Sequence, residues 1–188
     1  MKKMHGISTK AFAALLAVTL LVGSAIGGTL AWLTSKSDSL VNTFTIGNVE
    51  IELTETKGVL EGKDRTFKVI PGVDIEKDPK VTVKANSEAC WVFVKIDEQN
   101  WNTALSYSLA EEWKELENGV YYRLVDANTN DQVFEVLKDN QIIVNKELTK
   151  EMMENSPKLI FKAYAIQKDG FEEANIKEAW EAVSNPKN

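Results

Sequence analysis

The chain predicts an all-β fold: an antiparallel jelly-roll-like β-sandwich with short helices, preceded by an N-terminal signal helix. Three observations predict it. About eight or nine short segments alternate apolar and polar residues between turn signals. One of them, Cys90 to Ile96, is apolar on both faces, as a central, twice-covered strand must be. Ahead of them all, Lys2, Lys3 and Lys10 precede an uncharged apolar stretch from Ala11 to Leu33.

A basic head followed by an apolar run is the form of a secretory signal. Thr29-Leu30-Ala31 supplies small residues at the −3 and −1 positions, Thr29 and Ala31, which places the cut between Ala31 and Trp32. The stretch is about long enough to span a bilayer, which takes roughly 20 apolar residues, so an uncleaved anchor is the alternative. Gly23, Ser24, Gly27, Gly28 and Thr29 weaken its second half and favour cleavage. The expected division is a signal peptide over 1–31, a mature N-terminal segment over 32–43, a β-sandwich domain over 44–184 and a frayed tail over 185–188. Either way the body lies outside the cytoplasm, secreted or at the cell surface. Cleavage removes three lysines and no acid, so a net charge of −6 becomes −9. That excess repels nucleic acid and anionic lipid. The remaining roughly 157 residues suit one domain with a single core. Contact with membrane is expected only through an uncleaved signal segment.

Along the mature chain, Phe44 and Ile46 share one face, while Val49, Ile51 and Leu53 form a second set in opposite phase. Gly47-Asn48 sits at the phase change and predicts a bend between two strands. Residues 55–64 are polar and read as a loop. Thr66 to Ile70 reads as a strand stopped by Pro71-Gly72. Lys80 to Lys84 alternates, and Asn86-Ser87-Glu88 breaks the pattern before the Cys90 strand. Leu109 to Leu116 suggests one or two helical turns. Val120 to Val125 is a strand, followed by a polar turn over Asp126 to Asp131. Val133 to Leu137 and Ile142 to Val144 predict a hairpin around Lys138 to Gln141. Leu148 to Asn155 suggests a short helix ending before Pro157. Leu159 to Ile166 alternates as a long strand. Ile176, Ala179, Trp180 and Val183 have the spacing of one helix face.

The chemistry available is limited. The only histidine, His5, lies in the signal segment, so the mature chain lacks the imidazole that zinc peptidases and Ser/His or Cys/His pairs require. The single cysteine, Cys90, excludes a disulfide within the chain and reads as a small buried hydrophobe. Two acidic sets are candidate cation ligands, with calcium held weakly the only cofactor they suggest. Asp126, Asn128 and Asn130 begin like a calcium loop, but the pattern then needs a glycine at position 131 and a glutamate at 137, and finds Asp131 and Leu137. Asp74, Glu76 and Asp78 alternate after Pro71-Gly72 and could share one side of an extended segment; a solvated charged edge is the plainer reading. Trp91, Trp101, Trp113, Tyr121 and Tyr122 are candidates for a glycan site, against the commoner fate of core packing.

Gly27-Gly28-Thr29-Leu30-Ala31-Trp32-Leu33-Thr34, then Asn42-Thr43-Phe44-Thr45-Ile46-Gly47-Asn48-Val49, resembles the N-terminus of the SipW-dependent exported proteins of Gram-positive bacteria, the TasA and camelysin family. Pro71-Gly72, Lys77-Asp78-Pro79-Lys80-Val81-Thr82-Val83, Cys90-Trp91-Val92-Phe93-Val94, Ala163-Tyr164-Ala165-Ile166-Gln167, Gly170-Phe171 and Ala179-Trp180 follow in the family's order. The resemblance implies a jelly-roll sandwich, processing by a SipW-type signal peptidase, and a place in the biofilm matrix or on the surface. It also implies assembly with itself or with related matrix proteins as a fibre. The mature N-terminal segment would then act as a donor strand through Trp32, Leu33, Leu40, Val41 and Phe44. The camelysin branch implies a metallopeptidase, which the absence of mature histidine opposes. A cation- or glycan-binding surface module is the further alternative.

Overall fold

The computed structural model describes residues 34–38, 43–61 and 64–185. The signal segment 1–31, the cleavage pair Ala31 and Trp32, and the assembly residues Leu33, Leu40 and Val41 lie outside the described residues, as does the end of the tail beyond residue 185. The described chain is mainly β. Its strands are Thr34–Asp38 (β1), Thr43–Ile46 (β2), Ile51–Thr54 (β3), Val59–Glu61 (β4), Asp64–Lys68 (β5), Ile75–Glu76 (β6) and Lys80–Val83 (β7). There follow Cys90–Gln99 (β8), Leu105–Ser106 (β9), Lys114–Glu117 (β10), Val120–Val125 (β11), Gln132–Glu135 (β12), Gln141–Val144 (β13) and Lys158–Gln167 (β14). One helix, Ile176–Ser184 (α1), closes the described fold.

The strands form a five-stranded sheet of order β10-β11-β8-β14-β2 and three three-stranded sheets, β1-β5-β4, β12-β7-β3 and β6-β13-β9. Pairing is antiparallel except between β2 and β14, which run parallel from Thr43 opposite Ala163 to Ile46 opposite Ile166. The expected antiparallel pairing holds in the other ladders, and this edge is the exception.

The five-stranded sheet carries the core. β8 lies at its centre, and Trp91, Phe93, Tyr122, Tyr164 and Ile166 form one face. Ile176, Ala179, Trp180 and Val183 of α1 cover it at the i, i+3, i+4, i+7 spacing of one helix stripe. The Trp180 ring meets Tyr164 edge-on at 4.9 Å and 87°, and Phe93 at 5.5 Å. Its indole N–H donates to the Glu117 carboxylate at 3.0 Å, so the buried donor is satisfied. The other face of β8, Cys90, Val92, Val94 and Ile96, is buried as well, as a run apolar on both sides requires.

Several sequence expectations hold. β8, β11, β14 and α1 lie where alternation and helical spacing place them. The bend between β2 and β3 falls at Gly47, whose φ of +92° and close approach to Gln167 leave no room for a side chain. Pro71-Gly72 turns the chain so that the Val73 N–H donates to the Ile70 carbonyl at 3.0 Å.

Others are corrected. Residues 55–64 are not only a loop: β4 and β5 pair as a hairpin there, Val59 opposite Thr66. Leu109 to Leu116 holds no helical turn. Leu109 bridges to Leu137 and the chain enters β10. β12 and β13 do not pair with each other. A 3-10 turn at Lys138–Asn140, with Asp139 and Asn140 at positive φ, redirects the chain. β12 then joins β7, and β13 joins β6 and β9. The helix expected over Leu148 to Asn155 contracts to a 3-10 turn at Glu151–Met153.

Replacing Trp180 with alanine removes the ring that joins α1 to the sheet. Chemical denaturation should show a loss of about 3–5 kcal/mol, the usual cost of emptying a buried aromatic site. A loss below about 1 kcal/mol would mean that the helix contributes little to the core.

Candidate functional site

Two segments distant in sequence interlock beneath the β4–β5 hairpin. Residues 55–57 follow β3, and residues 76–78 lead from β6 into β7. The Lys77 ammonium contacts the Glu55 carboxylate at 2.7 Å, with side-chain exposures of 1% and 9%. One residue along on each segment, Asp78 accepts from the Thr56 N–H at 2.9 Å, the Lys57 N–H at 2.8 Å and the Thr56 hydroxyl at 2.6 Å. At the surface, Lys57 pairs with Glu76 at 2.7 Å. Arg65 of β5 donates to the Thr56 and Lys57 carbonyls at 3.2 Å each, tying the hairpin to the same turn.

Aromatic rings close the buried pair. The Lys77 ammonium lies 4.8 Å from the centroid of Phe67 on β5 and 5.3 Å from that of Phe161 on β14. Burial pushes the Lys77 pKa below the ordinary lysine value, and the Glu55 carboxylate opposes that push without cancelling it. At Asp78 burial acts upward. The hydrogen bonds from the Thr56 hydroxyl and from the Lys57 and Thr56 amides outweigh it and hold the carboxyl below its usual range.

This knot seats the hairpin on which β1 lies. β1 pairs along its whole length with β5, Thr34 opposite Lys68 through Asp38 opposite Asp64. β1 is therefore an edge strand of the β1-β5-β4 sheet, and β2 is an edge strand of the main sheet. Within the expected assembly segment, Phe44 falls in β2, opposite Tyr164 in register. The remaining assembly residues, Trp32, Leu33, Leu40 and Val41, lie outside the described residues.

The cation candidates do not converge. Asp74 accepts from the Val144 N–H at 3.3 Å, Glu76 pairs with Lys57, and Asp78 is enclosed by Thr56 and Lys57. The plainer reading of these three as a solvated edge is corrected too, because Asp78 is buried. Asp126 is exposed at the start of the β11–β12 loop. Asn128 exchanges backbone hydrogen bonds with Asn86 and Ser87, and Asn130 is exposed. Asn128 and Asn130 line an open cavity of about 480 Å³ that includes no carboxylate. Among the described residues, no three His, Cys, Asp or Glu side chains gather as a metal would require. Cys90 is fully buried, and burial pushes its thiol up to about 12. A buried thiol held in its protonated form is a poor nucleophile and a poor metal ligand at neutral pH.

The aromatic candidates separate. Trp91 and Tyr122 belong to the core, Trp91 donating to the Phe171 carbonyl at 2.8 Å. Trp113 donates to the Glu135 carbonyl and lies 5.4 Å from the Arg123 guanidinium. Trp101 and Tyr121 do meet, across a cleft of about 380 Å³, together with Glu98, Leu105, Leu109 and Tyr107. Sequence reasoning missed Tyr107 and Glu98, whose only signal is proximity to Trp101. It also missed Glu55, which lies 22 residues from Lys77 with no pattern to connect them.

Comparison with known proteins returns no match: no family model, no curated protein and no solved structure is detectably similar to the chain.

The Asp78 geometry has a pH signature. A folded pKa held below the unfolded value of about 3.9 gives stability that is complete above that value and is lost as pH falls through the folded pKa. Asp78→Asn should therefore cost about 1.5–3 kcal/mol at pH 7, as for hydrogen bonds to a charged group. The gap between wild type and variant in urea unfolding should narrow below about pH 4. A gap unchanged from neutral pH to about pH 2 would contradict the assignment.

Proposed function

We propose that the chain is an exported structural protein of the TasA and camelysin type, with a jelly-roll-like body, located in the matrix or at the cell surface. On this reading it is a fibre subunit or a fibre-associated protein that assembles by strand addition, and it carries no catalytic step. SipW-type cleavage between Ala31 and Trp32 would release the segment that does the joining.

The observation that carries the reading is the edge position of β1. Among the described residues its backbone pairs with one strand, β5, along a continuous antiparallel ladder. The same ladder can form between two copies with the same backbone hydrogen bonds, so exchange sacrifices little pairing energy. Head-to-tail exchange of that kind does not close and therefore propagates a filament. Membrane tethering through an uncleaved signal segment would hold the segment back until processing. A structural rather than enzymatic role is further supported by a mature sequence without histidine and by a cysteine whose thiol stays protonated.

Electron microscopy and light scattering of the form beginning at Trp32 test the reading. The expected result is filaments, lost on deleting residues 32–38 while the circular dichroism of the body is retained, and inhibited by a peptide spanning 32–44. A chain that stays monomeric at high concentration across pH and salt overturns it. So do filaments indifferent to both the deletion and the peptide.

A further inference from the structure

We propose that the cleft formed by Trp101, Tyr107, Tyr121 and Glu98 binds an organic quaternary ammonium group. The inference is independent of fibre assembly, since the cleft lies on the 98–109 segment and β11 rather than on the N-terminal strands.

Its walls are aromatic and its rim is anionic. The Trp101 and Tyr107 rings meet edge to face, with centroids 5.8 Å apart and planes at 69°. Two rings at that angle form a corner, and Tyr121 supplies a further wall of the same cavity. A sugar ring stacks on a flat aromatic platform. A cation surrounded by methyl groups is instead held by faces set at angles to each other, each offering the negative pole of its quadrupole. The Tyr107 hydroxyl donates to the Glu98 carboxylate at 2.7 Å, which fixes the ring and places the carboxylate at the cleft. Leu105, Ser106 and Leu109 complete the lining, and no basic side chain contributes to it.

The surrounding charge has the same sign. Burial first, then Glu98, pushes the Tyr107 phenol above its ordinary pKa. Burial, Glu115 and Glu98 do the same at Tyr121. The carboxylates near the two phenols, Glu98 and Glu115, are the anionic groups a bound cation would face. Inorganic cations and primary ammonium ions are strongly hydrated, and aromatic walls cannot replace that water. A quaternary ammonium is weakly hydrated and gains from exactly such faces plus a carboxylate.

The site is held in place before any ligand arrives. The Asn100 side chain donates to the Asn155 carbonyl at 2.7 Å and the Asn102 side chain to the Met152 carbonyl at 2.6 Å. Asn102 also accepts from the Ala104 N–H at 2.8 Å. These bonds fasten the loop carrying Trp101 to the 150–155 segment, which lowers the ordering cost of binding.

Choline, its neutral isostere 3,3-dimethylbutan-1-ol and N-acetylglucosamine, each titrated into the purified full chain and followed by amide chemical shifts, provide the test. Choline should bind with a Kd on the order of millimolar and shift amides of residues 98–109 and 121. The isostere should bind at least about fivefold more weakly, and the sugar should leave these amides unmoved. Glu98→Gln should weaken choline about three- to tenfold. Trp101→Ala should abolish binding, with Tyr121→Leu as the second variant should Trp101→Ala fail to fold. Equal affinity for choline and its isostere overturns the proposal. So does tighter binding of the sugar, or choline binding unchanged by Glu98→Gln and Tyr121→Leu.

Discussion

The buried ion pair between Lys77 and Glu55 is the constraint on which the N-terminal half of the fold depends. Removing two charges from water costs several kcal/mol per ion, and only close pairing with further satisfying contacts offsets that cost. Here the contact is 2.7 Å and the ammonium faces two aromatic rings. The rings belong to different sheets. Phe67 is on β5, in the sheet that receives β1, and Phe161 is on β14, in the sheet that receives β2. One ammonium thus joins the seats of both N-terminal strands. The neighbouring Lys57–Glu76 pair has the same separation, but its partners are 50% and 69% exposed, and water screens it to a small fraction of that importance.

The hairpin above the knot has little else to hold it. Val59 and Leu60 of β4 are 66% and 59% exposed, so one strand of the small sheet contributes almost nothing to a core. Phe67 and Val69, both buried, carry the apolar contact, and Arg65 and Asp78 fix the turn below. A sheet of three short strands is marginal without such support. The proposed strand exchange would draw on that combination: a seat firm enough to specify register, and an occupant whose backbone ladder runs along one edge.

How much of this the sequence revealed follows from the range of the interactions. β8, β11, β14 and α1 were legible because each has its own periodicity over six residues or more. The β4–β5 hairpin was not, because Val59 and Leu60 are both exposed and no alternation marks a buried face. The supposed β12–β13 hairpin had the right composition, but positive φ at Asp139 and Asn140 sends β13 to other partners. Backbone conformation at two polar residues is not written in apolar spacing. The same limit applies to the sites. Alternation grouped Asp74, Glu76 and Asp78, yet Asp74 is bound by β13 while Glu76 and Asp78 are bound by the Thr56-Lys57 turn. Lys77 and Glu55 meet because β3 and β7 pair, Thr54 opposite Lys80, and Phe67 and Phe161 enclose the ammonium there. At the aromatic cleft the rings of Trp101 and Tyr121 were identifiable as candidates, whereas the choice of those two over Trp91, Trp113 and Tyr122 belongs to tertiary structure.

The two regions divide the molecule by chemistry. The N-terminal strands offer backbone hydrogen bonds at sheet edges, and the cleft beside Trp101 offers aromatic faces and a carboxylate. The first depends on the buried pair, so the most direct test of the account is a double-mutant cycle of Glu55→Leu and Lys77→Met, read by chemical denaturation. Glu55→Leu alone leaves the ammonium buried without its carboxylate and should cost about 3–5 kcal/mol, whereas the double variant should recover at least about half of that loss. Single-variant losses below about 1 kcal/mol that simply add in the double variant would contradict it, since that is the behaviour of a solvated surface pair.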